Sequence, residues 1–401
     1  MSRILVLPGS QWQIPLVRKI KELGHQAIVV SPEENAPCKG VANEYFQSDI
    51  FEIDVIKQYC KENNVEAVMS DECDIAMPVV AELGKYLKVP ALSDQNAALY
   101  TDKFLMREFC AKHGFMTPEY CLCKTVEDVI NFFRRIQRPI IIKPLDSNAS
   151  HGVFKISTEE ELKKYFGISL SFSRTEKAIL AERFINGTEF TIDGIVTPNA
   201  HYTLAISEKK HFKHNANIAN ELYFTHQNKD YDYEKMKACN DAFVMKSGLR
   251  YGLTHAEYKF EGGNYYLIEI GARGGGNLIS AVITQYMSGY DTYKYLIECA
   301  LGKRNNANFP IQKAYQNRAS VLKFFETPNK GGKVTDIRGM DYLEEEFDVK
   351  NFHLNFKIGD NVEEAKNDSA RIGYYIACSE NVERLNTVIY NIQERFQIRV
   401  I

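Results

Sequence analysis

A pair of glutamates on two predicted strands carries the strongest chemical signal in the sequence. Glu257 and Glu269 lie in apolar segments that flank a turn at residues 262–264, which is the pattern of a β-hairpin. With that turn, Glu261 faces Tyr265 and Glu257 faces Glu269 on one face of the hairpin. Like charges directly opposite each other destabilise a sheet. The pattern therefore predicts a cation between the two carboxylates. The alternative, an exposed charged face, is disfavoured by the apolar neighbours.

An arginine and a run of glycines follow the second glutamate. This segment reads Arg273-Gly-Gly-Gly-Asn277 and precedes a long helix predicted over residues 278–301. Glycines let a ligand approach the backbone, and a helix N-terminus attracts anions. Mg²⁺ usually takes one or two carboxylates and leaves its other positions to phosphate and water. Two carboxylates, an arginine that clamps a phosphoryl group and a glycine-rich turn are thus the parts of a metal–nucleotide site. The alternative for the arginine is a surface residue at a flexible helix entry.

A lysine and a loop of small residues form a second candidate for phosphate binding. Lys143 ends an apolar strand and would neutralise phosphate if it points into a cleft, although a solvated strand end is the commoner case. The loop at 146–152 lacks the Gly-Lys-Ser/Thr of a P-loop. Its N–H groups and the Ser150 hydroxyl would still suit phosphate, and a simple turn is the alternative.

A third candidate is the tight turn between Glu182 and Glu189. A strand edge offers the donor and the acceptor that adenine needs, and Glu189 would accept a hydrogen bond from a ribose hydroxyl. The alternative is an ordinary charged hairpin formed by strands at 179–184 and 189–196, with a turn at Asn186-Gly187.

The elements that position these residues follow from apolar periodicity. Residues 1–92 alternate strands and helices, which predicts a parallel sheet covered on both faces. The turn Pro8-Gly9-Ser10 lies where such folds bind ligands but lacks the dinucleotide fingerprint. Residues 93–312 form a predicted second domain. Residues 313–401, after a break at 302–312, form a smaller β-rich domain.

Within the second domain, some segments are less regular. A single helix is predicted over residues 94–111, with Lys103 inside it. The segment at 207–227 is polar, and no regular structure is predicted for it. The histidines at positions 201, 211, 214 and 226 fit no metal-binding spacing, so we expect solvated or loop histidines.

The composition limits the functional classes. The chain has 401 residues, 45% hydrophobic and 25% charged, which is typical of a soluble protein of two or three domains. A net charge of −3 gives no indication of nucleic acid or an anionic membrane. No signal peptide or membrane span is predicted, and the nine cysteines show no zinc spacing or disulfide framework. We expect a cytoplasmic protein with small-molecule substrates. A homodimer is the commonest oligomer among such proteins.

Taken in order, the motifs resemble those of the ATP-grasp superfamily. The matching segments are Asp102-Lys103, Ile-Ile-Lys143-Pro, Ser150-His-Gly152, Glu182 to Glu189, Glu257 and Ile-Glu269-Ile-Gly-Ala-Arg273-Gly-Gly-Gly. The resemblance covers residues 93–310, and residues 1–92 resemble the domain that precedes the grasp. The segments Gly331-Gly332, Gly359-Asp360 and Arg371-Ile-Gly373 resemble the small domain of carboxylate–amine ligases of the L-amino-acid (dipeptide) ligase type.

The resemblance implies a mixed α/β and α+β architecture. It consists of an N-terminal Rossmann-like parallel-sheet domain (1–92), a central ATP-grasp fold (93–312, with a lid at about 138–205) and a small C-terminal β-rich domain (313–401). The family roles imply contacts with ATP for Lys103, Lys143, Ser150, His151, Gly152, Glu182, Arg183, Ile185 and Glu189. Of these, Glu182 and the backbone of Arg183 and Ile185 would hold adenine, and the loop at 146–153 would cover the triphosphate.

The resemblance also implies a metal site and catalytic residues. Glu257 and Glu269 would bind Mg²⁺, with Mn²⁺ as the alternative ion. Catalytic roles fall to Lys143, Arg273 and Asn277, and substrate would lie between Arg273–Asn277 and two N-terminal segments at 9–11 and 71–72. Many relatives carry Asn, as a metal ligand, two positions after the second glutamate, where this chain has Gly271. His151, where relatives often have a basic residue, would partly compensate.

The implied activity is ATP-dependent ligation of a carboxylate, such as an amino acid or small carboxylic acid, to an amine through an acyl phosphate. Two alternatives remain at this point. One is an ATP- and bicarbonate-dependent carboxylase of the purine-pathway type. The other is a catalytically silent ATP-binding module, with Gly271 as its supporting feature.

Overall fold

The structure is a computed structural model that describes residues 1–147, 150–174, 177–303 and 307–401. Its strands are β1 (Arg3–Val6), β2 (Gln26–Ser31), β3 (Glu44–Gln47), β4 (Ala67–Met69), β5 (Tyr120–Cys123), β6 (Ile140–Pro144), β7 (Phe154–Ile156), β8 (Ile179–Arg183), β9 (Thr188–Val196), β10 (His201–Phe212), β11 (Asn215–Phe224), β12 (Gly252–Glu261), β13 (Asn264–Gly271), β14 (Ala319–Phe324), β15 (Gly331–Arg338), β16 (Val349–Leu354), β17 (Asn361–Glu363), β18 (Gly373–Ser379) and β19 (Gln397–Val400). Its α-helices are α1 (Ile14–Glu22), α2 (Ile53–Glu62), α3 (Met77–Leu87), α4 (Asp94–Thr101), α5 (Lys103–His113), α6 (Val126–Ile136), α7 (Glu159–Ser171), α8 (Tyr233–Ser247), α9 (Thr284–Ser288), α10 (Thr292–Ala300), α11 (Met340–Glu345) and α12 (Val382–Arg395).

The N-terminal region forms the predicted parallel sheet, in the order β3-β2-β1-β4. One face packs against α2 and α3 through Leu5, Ile28 and Val80, and the other packs against α1 and α10 through Ile4 and Leu16. Helices on both faces explain why β1 and β2 are almost continuously apolar. Strand β3, with the sequence Glu-Tyr-Phe-Gln, was not predicted because it is short and only partly buried.

Two further sheets build the central region. The antiparallel sheet β5-β8-β6-β7, here called the lid sheet, packs against α6 and α7. Its bounds differ from those of the predicted lid at about 138–205, because β5 precedes that range, whereas β9 and the start of β10 fall within it and belong to the other sheet. An eight-stranded sheet has the order β13-β12-β9-β10-β11-β14-β18-β16. Its last three strands come from the C-terminal part of the chain, since β14 pairs with β11. A separate small sheet, β17-β15-β19, completes that part. The C-terminal strands therefore extend the central sheet.

The strands on either side of Asn186-Gly187 do not form the hairpin considered as an alternative. β8 belongs to the lid sheet and β9 to the eight-stranded sheet, so the chain crosses between sheets at this turn. Gly187 is required at the crossing, because a Cβ there would lie 1.8 Å from the carbonyl oxygen of Phe260.

The single helix predicted over residues 94–111 is two helices, α4 and α5. Asp102 adopts an extended conformation between them, and its side chain accepts hydrogen bonds from the N–H groups of Phe104 and Leu105. An aspartate at this position stabilises a helix start. The break places Lys103 in the first turn of α5.

The prediction of one long helix over residues 278–301 is also wrong, because the segment contains separate helices. A π-helical turn (Ile279–Ile283) leads into α9, which ends at Ser288 and is capped by Gly289 with φ +76°, and α10 begins at Thr292. The residues before the turn, Asn277 and Leu278, have left-handed φ values of +56° and +64°. The glycine run therefore does not lead into the N-terminus of a regular α-helix, and the predicted helix-terminus anion site is absent from this described segment.

The polar segment at 207–227 is the antiparallel hairpin of β10 and β11. Its polarity does not indicate a loop, because alternate residues of β10, among them Lys209 and His211, face a polar cavity. Residues 304–306 of the predicted break at 302–312 lie outside the described residues. Among the helices described, none has the length and apolar content needed to cross a bilayer.

Candidate active site

A cavity of about 760 Å³ lies where the N-terminal domain, the lid sheet, the eight-stranded sheet and the C-terminal strands meet. Most of the site residues predicted from the sequence line it. These are Lys103, Lys143, Ser150, Arg183, Ile185, Glu189, Glu257, Glu269, Arg273 and Asn277. Three predicted residues, Glu182, His151 and Gly152, are not among the lining residues. The fold therefore gathers residues that are up to 174 positions apart in sequence, from Lys103 to Asn277, around one space.

Glu257 and Glu269 face each other across β12 and β13, as predicted. The two glutamates are paired by a different turn and register from those predicted. The turn has two residues, Gly262 and Gly263, with φ +58° and +82°, so Glu261 pairs with Asn264 and not with Tyr265. A β-bulge between Glu257 and Tyr258 then shifts the register by one residue and restores the glutamate pair.

Each of the two glutamates has a lysine partner. Lys103 Nζ lies 2.8 Å from Glu269 Oε1, and Lys209 Nζ lies 2.9 Å from Glu257 Oε1. Burial lowers the pKa of Lys103, but Glu269 outweighs it and the net pKa is raised. The two carboxylates are therefore compensated by cations of the chain itself.

The same two carboxylates suit a divalent cation. Both line the cavity and present hard oxygen donors, which Mg²⁺ takes one or two at a time beside phosphate oxygens. Across the described ranges, His, Cys, Asp and Glu side chains do not assemble in groups of three or more with metal-binding geometry. A metal at this site would therefore need ligands from a bound substrate as well as from Glu257 and Glu269.

Glu189 is the centre of a charged cluster on the sheet surface. In register, Glu189 lies opposite Lys209 on β10 and opposite Lys259 on β12. The Nζ atoms of these lysines lie 2.6 and 3.4 Å from its carboxylate, and His211 Nε2 lies 3.3 Å away. Burial raises the pKa of Glu189, but the lysines and His211 outweigh burial and hold it well below its ordinary value. Glu189 therefore stays ionised at the cavity wall.

Glu182 lies in a buried ion-pair cluster and does not line the cavity. Its carboxylate is buried and pairs with Arg107 Nε at 2.6 Å and with Lys143 Nζ at 2.8 Å. Burial raises the pKa of Glu182, but the two cations outweigh it and the net pKa is lowered. Burial is the main reason that the pKa of Lys143 is lowered. The predicted contact of the Glu182 side chain with adenine is thus not supported, whereas Lys143 reaches the cavity.

The crossing between the two sheets forms one end of the cavity. Arg183, Phe184 and Ile185 all line it. The Phe184 ring has Lys155 Nζ 4.0 Å and Lys259 Nζ 5.1 Å from its centroid. The crossing, for which the sequence predicted adenine binding, therefore combines strand-end backbone with a ring that is contacted by two lysines.

Arg273 is held by the N-terminal domain. Its Nε donates to Asp74 Oδ1 at 2.9 Å, its Nη2 donates to Asp74 Oδ2 at 2.5 Å, and its Nη1 donates to the carbonyl of Gly274 at 3.0 Å. Burial lowers the pKa of Arg273, but Asp74 outweighs it and the net pKa is raised. A Cβ at Gly271 would lie 2.7 Å from Asp74 Oδ1. The ion pair therefore occupies the space that a side chain at position 271 would need.

Asp71 and Glu72 join the same N-terminal loop to the glycine-rich segment. Asp71 is fully buried and accepts from the Gly274 N–H at 2.7 Å and from the Ser280 hydroxyl at 2.6 Å. Glu72 has a left-handed φ of +53°, accepts from the Leu278 N–H at 3.1 Å and lines the cavity. Burial, and then the Asp71 charge, raise the pKa of Glu72 well above its ordinary value. Of the predicted substrate segments, Ser10, Gln11 and Glu72 line the cavity, whereas Gly9 and Asp71 do not.

The loop after Lys143 is only partly described, since Asn148 and Ala149 lie outside the described residues. Ser150 has a φ of +59°, and its hydroxyl donates to Asp368 Oδ2 at 2.7 Å. The His151 ring stacks on Phe172 with centroids 5.8 Å apart. Ser150 is therefore the described residue of this loop that both faces the cavity and contacts the C-terminal part.

Several residues that line the cavity were not predicted from the sequence. They are Trp12, Asp74, Lys209, His211, His255, Lys259, Phe324, Arg371 and Tyr374. Lys209 and His211 carried a signal, because residues two apart on a strand share a face. His255 and Lys259 carried the same signal, because they lie two positions on either side of Glu257 on β12. The remaining residues reach the cavity through contacts between distant segments, such as Asp74 with Arg273 and Trp12 with Tyr374. The spacing of residues along the sequence does not predict contacts between segments that are far apart in the chain.

Comparisons with known proteins agree with this arrangement. The chain matches the ATP-grasp domain over residues 136–281 and the L-amino acid ligase C-terminal domain 2 over residues 324–400. It is 24% identical over 194 residues to dapdiamide A synthase of Enterobacter agglomerans. This alignment covers 47% of this chain and 46% of that protein. It is 26% identical over 197 residues to a formate-dependent phosphoribosylglycinamide formyltransferase of Prochlorococcus marinus, with coverage of 48% and 50%. The match spans about half the length of these relatives.

Among solved structures, the L-amino acid ligase from Bacillus licheniformis has a similar fold. The TM-score is 0.83 at 19% identity, and the superposition covers 100% of this chain and 99% of that one. The predicted architecture, with an N-terminal parallel sheet, an ATP-grasp core and a C-terminal β-rich part, is confirmed. The chain therefore contains an ATP-grasp domain followed by a C-terminal domain of the L-amino acid ligase type, and the resemblance predicted from the sequence is confirmed.

Proposed function

We propose that this protein is an ATP-dependent ligase that joins a small carboxylic acid or amino acid to an amine. The observation that carries the proposal is the grouping of Lys103, Lys143, Glu257, Glu269 and Arg273 around one cavity. Lysines and an arginine would neutralise phosphate, and the carboxylates would hold a divalent cation. Such a site acts mainly by positioning and by charge neutralisation.

The proposed nucleotide position is supported by the residues that line the cavity. Adenine would lie at the crossing formed by Arg183, Phe184 and Ile185, with Glu189 accepting from the ribose. The triphosphate would extend towards Lys143 and Lys103, beneath the loop that contains Ser150. The buried ion pairs around Lys143 and Glu189 keep these side chains in place before a ligand binds, so less conformational entropy is lost on binding.

The proposed reaction has two steps. A carboxylate oxygen attacks the γ-phosphorus of ATP, the bond to the β,γ-bridging oxygen breaks, and ADP leaves. The amine nitrogen then attacks the carbonyl carbon of the acyl phosphate. The C–O bond to phosphate breaks and the nitrogen loses its proton, which gives an amide and inorganic phosphate.

The chain's own residues would orient the reactants in these steps. Lys103 and Lys143 would hold the phosphate chain, and Arg273 would stabilise the transferring phosphoryl group and the acyl phosphate, with Asn277 beside it. A Mg²⁺ ion held by Glu257 and Glu269 would neutralise phosphate charge. Water would be excluded by the loop at 146–153 and by the C-terminal strands.

The test is turnover with a panel of carboxylic acids and amines. The purified protein is incubated with MgATP and each pair, and ADP and phosphate are measured. Hydroxylamine is added without amine to trap the acyl phosphate as a hydroxamate. We expect ADP formation that depends on a carboxylate, and hydroxamate in the trapping reaction.

Matched variants separate site chemistry from folding. Glu257→Gln is expected to abolish turnover. Glu234→Gln, on the exposed surface of α8 and paired with Lys237, is expected to leave it unchanged. Turnover stimulated by bicarbonate alone would contradict the ligase and favour the carboxylase. Tight MgATP binding without turnover across the whole panel would contradict both enzymes and favour the silent module.

A further inference from the structure

An arginine from the C-terminal part of the chain reaches the cavity and has no assigned role. Arg371 is 9% exposed and lines the cavity. Its Nε donates to the carbonyl of Ala219 at 3.1 Å, its Nη2 pairs with Asp368, and its guanidinium lies 3.8 Å from the centroid of the Phe324 ring. Within the described ranges, no acceptor is bonded to Nη1. One nitrogen of a fixed guanidinium thus remains for a ligand.

The other cavity arginines are more fully occupied. All three guanidinium nitrogens of Arg273 have partners, two of them on Asp74. Arg183 is held between Glu119 and Glu261. Arg371 shares its one carboxylate partner, Asp368, with the Ser150 hydroxyl. Its charge is therefore less completely compensated than that of Arg273 or Arg183.

The surroundings of Arg371 indicate which anion it faces. Through Asp368 it is joined to Ser150, on the loop that would cover the triphosphate. Burial lowers the pKa of Arg371, while the charges of Asp368 and Glu257 act to raise it. Arg371 and Glu257, a proposed metal ligand, line the same cavity. Metal-bound phosphate oxygens are the anions expected at that position.

We propose that Arg371 binds the terminal phosphoryl group of ATP, and that Asp368 orients it while fixing the loop through Ser150. This inference rests on the proposed nucleotide site. It assigns the C-terminal part of the chain a direct contact with the group that is transferred. ADP lacks that group, so Arg371 would distinguish ATP from ADP.

The test compares the affinities for two nucleotides. Binding of MgADP and of the magnesium complex of a non-hydrolysable ATP analogue with an imido β,γ-bridge is measured by calorimetry. In Arg371→Gln, the analogue is expected to bind about 10- to 100-fold more weakly, the range for a lost charge-assisted hydrogen bond. The affinity for MgADP is expected to change less than about threefold, which is about 0.65 kcal/mol.

Two further variants test whether the loss of affinity in Arg371→Gln comes from a general change of structure. Arg371→Lys keeps the charge and is expected to retain part of the preference for the analogue. Arg384→Gln removes an arginine that pairs with Glu346 and Asp348 outside the cavity, and it is expected to leave both affinities unchanged. Retained MgADP binding shows that the nucleotide site of each variant is folded.

The outcomes separate this inference from the proposed function. Equal weakening of both nucleotides in Arg371→Gln, or no weakening of either, would overturn the role of Arg371. A higher KM for the carboxylate with an unchanged nucleotide preference would overturn it too. A wild-type protein that binds both nucleotides without forming amide would overturn the ligase alone, since the ratio still decides the role of Arg371. A wild-type protein that binds neither nucleotide would overturn both.

Discussion

The space beside Gly271 allows a quantitative test of how the N-terminal domain holds Arg273. In Gly271→Ala, the new Cβ would lie 2.7 Å from Asp74 Oδ1 and 3.3 Å from Arg273 Nε. Comfortable non-bonded contact is about 3.5 Å, so the carboxylate oxygen would have to move by roughly 0.8 Å. A shift of that size breaks the 2.9 Å bond between Oδ1 and Nε. We expect the variant to lose about 1–3 kcal/mol of stability, the usual cost of overpacking.

A double-mutant cycle identifies Asp74 as the cause. Asp74→Ala alone leaves a mostly buried guanidinium without its carboxylate, which costs about 3 kcal/mol. In the double variant, the methyl group at 271 enters space that the carboxylate has left. The double variant should therefore lose about 1–3 kcal/mol less than the sum of the single variants.

Urea unfolding followed by tryptophan fluorescence is a suitable assay. Trp12 is the single tryptophan, and its ring lies 6.0 Å from that of Tyr374. Its emission therefore reports the contact between the N-terminal domain and the C-terminal strands. Gly40→Ala is the control, because no atom lies within 4 Å of a Cβ at that position. A Gly271→Ala protein as stable as the wild type, or strict additivity in the cycle, would refute the reasoning.

Three further predictions concern other parts of the site. Glu182→Gln leaves Arg107 and Lys143 buried without a carboxylate, so it should lose about 3–5 kcal/mol in urea unfolding; an unchanged midpoint would show that Glu182 is dispensable. The pKa of Glu182 is lower in the folded state than the ordinary value, so its stabilisation is present above about pH 4.5 and is lost as pH falls through the folded pKa. Wild type should therefore lose stability more steeply than Glu182→Gln in acid titrations of the urea midpoint, and parallel curves would contradict this. Ser150→Ala removes the 2.7 Å bond to Asp368 and should speed proteolytic cleavage within residues 150–153, whereas equal cleavage rates would show that the bond does not restrain that segment.

The sequence predicted the strands and helices where apolar periodicity was strong and failed where one residue changed the backbone. Asp102 is compatible with a continuous helix by periodicity, yet its side chain caps a new one. The glutamate pair was predicted correctly because two errors cancelled, a turn one residue too long and an unseen bulge. The Gly262-Gly263 pair is typical of a two-residue turn, so the turn length was predictable, whereas residue types do not specify the bulge.

The candidate site was predictable to the extent that its residues belong to ordered motifs. Lys103, Lys143, Glu257, Glu269 and Arg273 all reach the cavity. The partners that determine their charge state were not predictable, because Lys209 and Asp74 come from distant segments. Glu182 is a residue whose motif position predicted a ligand contact but whose carboxylate lies away from the cavity. It forms a buried ion pair with Arg107 on α5.

The continuation of the central sheet into the C-terminal strands has a consequence for how this protein can be divided. β14 supplies the ladder partner of β11 from Glu221 to Phe224. A chain that stopped at residue 312 would expose that ladder as an unprotected edge, which is a template for aggregation. The C-terminal region is therefore not an exchangeable module, and chimeras between relatives should be joined elsewhere than between β11 and β14.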